Sequence, residues 1–139
     1  MADVPTLGSS TQAIAVSALK AQQARMRIIA ENLANSNSTS STAGGNPYRR
    51  QAPVFLPTQV AGGTGVKMAR VAPDTTEFKT DYQPGNPSAN AQGYVKLPNV
   101  DPLIEALDMR EAQRAYEANL NVIETARAMD LRTLDLLKK

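Results

Sequence analysis

Neither proline nor glycine occurs between Ser9 and Ala43, nor between Leu103 and Lys139. These two residues are the main breakers of regular structure, so both ends of the chain are free to form long helices. Apart from Pro5 and Gly8, every proline and glycine falls between Gly44 and Pro102, and turns punctuate that middle stretch. The first helix is expected to begin at Ser9 or Ser10, whose side-chain oxygens can cap the exposed amides, and to run to about Asn35. Leu19, Met26 and Leu33 stand seven apart, with Ala15, Ile29 and Gln22 in the same series. Ile14, Ala21 and Ile28 form a second seven-spaced row beside them, which makes a broad stripe at coiled-coil spacing.

The last helix has a clearer start. Asp101 is a favourable cap and Pro102 suits the first helical position. A helix reaching Leu137 is about 50 Å long at a rise of about 1.5 Å per residue. Ala115, Val122, Met129 and Leu136 are seven apart, flanked by Tyr116, Leu120, Ile123, Leu134 and Leu137. Lys138 and Lys139 place positive charge where the helix dipole favours it.

The middle, from Tyr48 to Leu97, holds Tyr48, Phe55, Phe78, Tyr82 and Tyr94, which are five of the six aromatic residues. Val54–Leu56, Val66–Val71 and Gly93–Leu97 read as two or three short strands around a small core, with their prolines favouring edge positions. Ser36 to Asn46 has no large apolar residue and reads as a flexible connection from helix to strand. The fold class is therefore mainly α with a small β region, the terminal helices pairing as a coiled coil. The corresponding division is residues 1–36, 37–100 and 101–139.

Composition narrows the chemistry. The 139 residues include no cysteine and no histidine, so disulfide frameworks, Cys/His metal sites and imidazole relays have no residues to build them. Lys and Arg total 15 against 13 Asp and Glu, and a net charge of +2 is too weak to argue for nucleic acid or anionic lipid. The share of hydrophobic residues is 42% with no tryptophan, enough for a thin core only. Met1 to Gly8 lacks the basic patch and apolar run of a Sec-type signal peptide, and no apolar run is long enough to span a membrane.

The local motifs weigh against catalysis. Gly62-Gly63-Thr64-Gly65 lacks the Lys-Ser/Thr and helix start of a phosphate loop, so it reads as a hairpin loop. Glu105, Asp108 and Glu111 share one helix face, but Arg110 and Arg114 stand close by and imply a solvated, salt-bridged surface. Asp74, Glu77 and Asp81 lack the EF-hand pattern. Asn37-Ser38-Thr39 matches a glycosylation acceptor, a common tripeptide. Arg49-Arg50 continues into no aromatic-basic pattern and keeps a partner-facing role open.

The helical stripes carry the functional expectation. Each is wider than one seam, and the middle region is too thin to cover the surplus, which is the mark of an interface. The expected assembly residues are Leu19, Met26, Ile29, Leu33, Val122, Ile123, Met129 and Leu136, the first four opposed to the last four, with Tyr116 beside them. Asn32, Asn35, Asn119 and Asn121 are poor helix formers, and their presence suggests hydrogen bonds that fix register. The alternative is a soluble helical adaptor that binds a partner helix, with one seam already satisfied.

Several separated segments resemble a known family. They are Ala24–Asn35, Pro47–Gln51, Gly93–Pro102, Arg114–Ile123 and Thr125–Met129. In this order they resemble the bacterial flagellar rod and hook family, over nearly the whole chain from about Ala13 to Leu136. The resemblance implies a structural subunit without enzymatic activity and without a cofactor, in the proximal rod that transmits torque through the periplasm. It implies that residues 1–36 and 101–139 pack in an inner tube, with 37–100 outside. It implies as partners neighbouring copies, the rod proteins FlgB, FlgF and FlgG, the adaptor FliE and the flagellar type III export apparatus, with no nucleic acid and no small-molecule substrate.

Overall fold

A computed structural model describes residues 7–138. The segment Met1–Thr6, which carries most of the stretch read as lacking a Sec-type signal, and Lys139 at the C-terminus lie outside the described residues. The order is helix α1 (Leu7–Ala34), strands β1 (Gln51–Val60), β2 (Gly63–Pro73), β3 (Lys79–Tyr82) and β4 (Tyr94–Leu97), then helix α2 (Pro102–Leu137). The architecture is mainly α with a small antiparallel β region. Strands β1 and β2 form one two-stranded sheet, β3 and β4 another. Strand β3 was not among the segments expected from the sequence, because Lys-Thr-Asp-Tyr has no apolar alternation and all four residues are exposed.

Helix α2 starts where the sequence places it. Asp101 is extended, its side chain accepts from the Leu103 amide, and Pro102 follows. A side-chain cap of this kind is worth about 1 kcal/mol. Helix α1 begins at Leu7, slightly before the expected serines.

The two helices pack antiparallel, since Gln12 lies beside Asp130, Arg25 beside Asp108 and Asn32 beside Glu105. The opposition expected from the sequence is thereby corrected. Antiparallel running carries the Met26–Leu33 end of α1 to the first turns of α2, and away from Met129 and Leu136. Alanines line the contact: Ala15 on α1, Ala112 and Ala126 on α2, all buried, while the buried Ala21 faces the β1–β2 hairpin. Small side chains at the crossing let the backbones approach closely. Ile28 and Ile29 add bulk on α1, and Val95 in β4 and Val100 ahead of α2 are buried as well. The core is thin, as the composition requires.

The β1–β2 hairpin turns at Ala61-Gly62, with Val60 paired to Gly63. Gly62 has φ +79°, a conformation that disfavours any residue with a Cβ. The neighbouring glycines serve packing against α1. A Cβ on Gly65 would stand 2.3 Å from the Ser17 hydroxyl oxygen. That hydroxyl accepts from the Val66 amide at 3.1 Å and donates to the Ile14 carbonyl at 2.7 Å, fastening the hairpin to α1. The ladder slips between Val54 and Phe55, where β2 bulges. In two-stranded sheets every strand is an edge, so Pro53 and Pro57 are accommodated.

The Ser/Thr-rich connection is better fastened than its composition suggests. The Gly44 amide donates to the Ser88 carbonyl at 3.0 Å, the Ser88 hydroxyl donates to the Ser40 carbonyl, and Lys96 reaches the Asn46 side chain at 3.2 Å. Its partners lie far along the chain, and local composition does not reveal them.

Candidate assembly interface and its buried polar anchor

Two features stand out, one where α1 ends and α2 begins, the other along the length of α2. The first is a buried polar cluster. Asn32 is 1% exposed and uses both ends of its amide. Its nitrogen donates to the Gln51 carbonyl at 2.9 Å and to Glu105 Oε2 at 3.3 Å. Its oxygen accepts from the Tyr48 hydroxyl at 2.7 Å and from the Gln51 amide at 3.0 Å. Asn32 thus pairs with both backbone groups of Gln51 and ties the first residue of β1 to α1, while its remaining hydrogen bonds join Tyr48 and α2 to the same point.

Glu105 is fully buried, and its Oε1 accepts from Arg50 Nε in a short ion pair. The Arg50 guanidinium also faces Asp74 Oδ2 at 3.4 Å and Asp108 Oδ2 at 3.6 Å, and its backbone amide donates to Asn99 Oδ1 at 2.7 Å. Arg25 extends the chain of charges to Asp108 at 3.7 Å and Glu111 at 3.5 Å. The acidic face of α2 is therefore neutralised by Arg50 and Arg25 from other elements. Arg110 and Arg114, which the sequence suggested, are not its partners. Arg49 lies 4.1 Å from the centroid of the Phe78 ring and donates to the Asp74 and Thr76 carbonyls at 2.7 and 3.0 Å. Both arginines that the sequence left open to a partner are engaged within the chain.

The charges are tuned by these contacts. Burial works against the Arg50 charge, and the Glu105 hydrogen bond with the Glu105 and Asp74 charges outweighs it, leaving the guanidinium above its ordinary pKa. Burial raises the Tyr48 phenol above its ordinary value, helped by the negative charges of Glu31 and Glu105. The Thr76 hydroxyl and amide hold the Asp74 carboxyl below its ordinary value, against partial desolvation, with Arg50 adding to the lowering.

A lowered folded-state pKa means that Asp74 stabilises the fold above its unfolded pKa, a contribution lost as pH falls through the folded one. Wild type and Asp74→Asn are therefore expected to differ in stability at neutral pH and to converge on acidification below about pH 4. Denaturant unfolding across pH 2–7 measures the gap; a constant gap down to the acid end would contradict it.

The second feature is uncovered apolar surface. Helix α2 exposes Leu103, Ile104, Leu107, Leu120, Val122, Met129, Leu131, Leu134, Leu136 and Leu137. The face turned to α1 carries Glu105, Ala112, Tyr116, Asn119, Ile123 and Ala126, which are buried or half-buried. A second stripe lies on the flank beside that seam: Ile104, Leu107, Val122, Met129 and Leu136, with Val122 at 42%, Met129 at 61% and Leu136 at 72% exposure. No helix is long and apolar enough to cross a membrane among the described residues. A stripe of this size on a water-facing helix marks a protein contact.

The residues singled out from the sequence divide between these features. Leu19, Met26, Leu33, Tyr116 and Ile123 are half-buried in the helix pair. Ile29 and Asn32 are already covered by the chain's own elements. Asn35 and Asn119 donate back to the Glu31 and Ala115 carbonyls of their own helices, at 2.9 and 2.8 Å. Asn121, Val122, Met129 and Leu136 face outward. Sequence reading missed Tyr48, Arg50 and Glu105 as one unit, and the only local hint was an acidic residue one turn into a helix otherwise lined with aliphatics.

Residues 13–40 match the family model described as flagella basal body rod protein, and residues 91–136 match that of the flagellar basal body rod FlgEFG protein C-terminal region. The flagellar basal-body rod protein FlgC of Agrobacterium fabrum is 46% identical over 132 residues, covering 94% of this chain and 95% of the relative. FlgC of Salmonella typhimurium is 45% identical over 127 residues, with 88% and 92% covered. FlgC of Bacillus subtilis is 36% identical over 142 residues, with 90% and 95% covered.

The chain belongs to the FlgC family. It is a structural subunit of the flagellar basal-body rod. The two matched segments fall on α1 with the start of the connection, and on β4 with α2, the parts that form the helix pair.

Proposed function

We propose that this chain acts in the proximal part of the rod, within the periplasm, and transmits torque through packed helix contacts. Residues 1–36 and 101–139 form the inner tube in this reading, and 37–100 lie outside it. Val122, Met129 and Leu136, with Asn121 beside them, meet neighbouring subunits. Leu19, Met26, Leu33, Tyr116 and Ile123 hold the helix pair whose outer face is presented. Ile29, Asn32, Asn35 and Asn119 shape that pair from within. The neighbours are other copies and the rod proteins FlgB, FlgF and FlgG, with the adaptor FliE at the membrane end. The chain reaches its place through the flagellar type III apparatus, and it is no enzyme.

The observation that carries this reading is the apolar stripe on α2, which the chain's own fold leaves in water. Torque borne by such contacts is spread over many side chains, so no single site is required. The buried cluster at Asn32 and Glu105 supports the same reading, because it stiffens the junction through which load passes between helices and outer part. Electron microscopy of purified basal bodies carrying a gold-labelled version of this chain tests it. Label at the membrane-proximal end of the rod is the expected result, and label on the hook or on no part of the basal body would overturn it.

A further inference from the structure

A groove of about 640 Å³ runs between α1 and the β1–β2 hairpin, lined by Val16, Val60, Val66 and Met68 with Lys20 and Lys67 at its edges. The hairpin, residues 51–73, contains two charged residues, Lys67 and Arg70, and both are cations. On α1, Lys20 is the sole charged residue from Leu7 to Ala24. None of these three cations has an ion-pair partner among the described residues. The groove is therefore apolar along its floor and positive at its edges.

The complement is found on the same chain, out of its own reach. One flank of α2 carries Glu117, Leu120, Glu124, Leu131 and Asp135, at helical spacings of three, four, seven and four, all exposed. Its three acids likewise have no ion-pair partner among the described residues. This flank lies on the other side of the helix seam from Val122, Met129 and Leu136. The hairpin packs on α1 but makes no close backbone approach to α2, so a molecule cannot lay this flank in its own groove.

We propose that the groove between α1 and the hairpin seats the Glu117–Asp135 flank of α2 from a second copy of this chain. Leu120 and Leu131 enter the apolar floor, and the acids meet Lys20 and Lys67 at its edges, with Arg70 further along β2 adding to the positive field. Groove and flank are different patches of one molecule, so the contact is heterologous and propagates from copy to copy, as a helical shaft requires. The opposite charges select the register and disfavour the wrong flank.

The inference rests on assembly through the unpartnered helix surface, and its test separates the two. A photo-crosslinking benzoylphenylalanine is placed at Thr58, in the groove wall, and basal bodies are purified and irradiated. Adducts whose peptides map to residues 117–135 of a second copy are the expected result. Adducts to the stripe at Ile104, Leu107 and Met129, adducts to a different rod protein, or intact rods containing this chain without any adduct overturn the docking proposal. Absence of the unmodified wild-type chain from basal bodies instead overturns the assembly reading itself. If the modified chain fails to assemble, charge reversal decides: Lys67→Glu and Glu124→Lys each shrink the swim ring, and the double variant restores it. Failure of restoration counts against the pairing.

Discussion

Replacing Asn32 with alanine is expected to lower the unfolding free energy by about 3 kcal/mol. The side chain makes four hydrogen bonds, to Tyr48, to both backbone groups of Gln51 and to Glu105. Removing it leaves each of those groups short of a partner, and a buried unsatisfied group costs about 1–3 kcal/mol. The full sum is not reached, because Tyr48 and Gln51 are only half-buried and recover water, whereas Glu105 is sealed. For a chain of this length the loss corresponds to a fall of about 10 °C in Tm. Asn119→Ala supplies the comparison. Asn119 bonds only to the Ala115 carbonyl one turn back in its own helix, and alanine is the better helix former. Its melting temperature is expected to stay close to that of wild type. Thermal unfolding of the two variants followed by circular dichroism decides the matter; equal losses would show that Asn32 is one more helix asparagine and no anchor.

That contrast shows what the sequence could reveal. Helix-forming ends, the Asp101-Pro102 start and the hairpin at Gly62 are local facts, decided by residues within a few positions of one another. They were legible because caps, breakers and turn glycines act on their own neighbourhood. The roles of Asn32 and Glu105 depend on Gln51, Tyr48 and Arg50, and Arg50 is 55 positions from Glu105. No periodicity encodes such a meeting, so Glu105 looked like part of a solvated face and Asn32 like a residue for binding neighbours. Gly65 misled in a similar way: it reads as part of the hairpin loop, yet it lies in β2, where its lack of a side chain lets the hairpin lie on Ser17. The apolar rows on α2 were visible at once. Which flank the fold would cover was not, because that is set by the alanine-lined crossing with α1, and small residues carry little signal of their own.

Replacing Met129 with aspartate is expected to leave the monomer intact and abolish rod assembly. Met129 is 61% exposed, so the folded chain loses little by the change, about 0.5 kcal/mol or less. In a subunit contact the same position loses its water, and a carboxylate buried there without a partner costs several kcal/mol. The penalty recurs in every copy along the shaft, so assembly fails where a single pairwise contact would only weaken. Val122→Asp, one seven-residue step earlier on the same stripe, is expected to behave alike, while Met129→Leu retains function because volume and polarity are kept. Three measurements on each variant separate the outcomes: thermal melting of the purified chain, swim-ring diameter, and electron microscopy for rods. A melting curve like that of wild type combined with lost swimming and missing rods is the predicted pattern. Normal swimming by Met129→Asp and Val122→Asp would remove this stripe from the assembly contacts, since no neighbour could be packed against it and tolerate both charges.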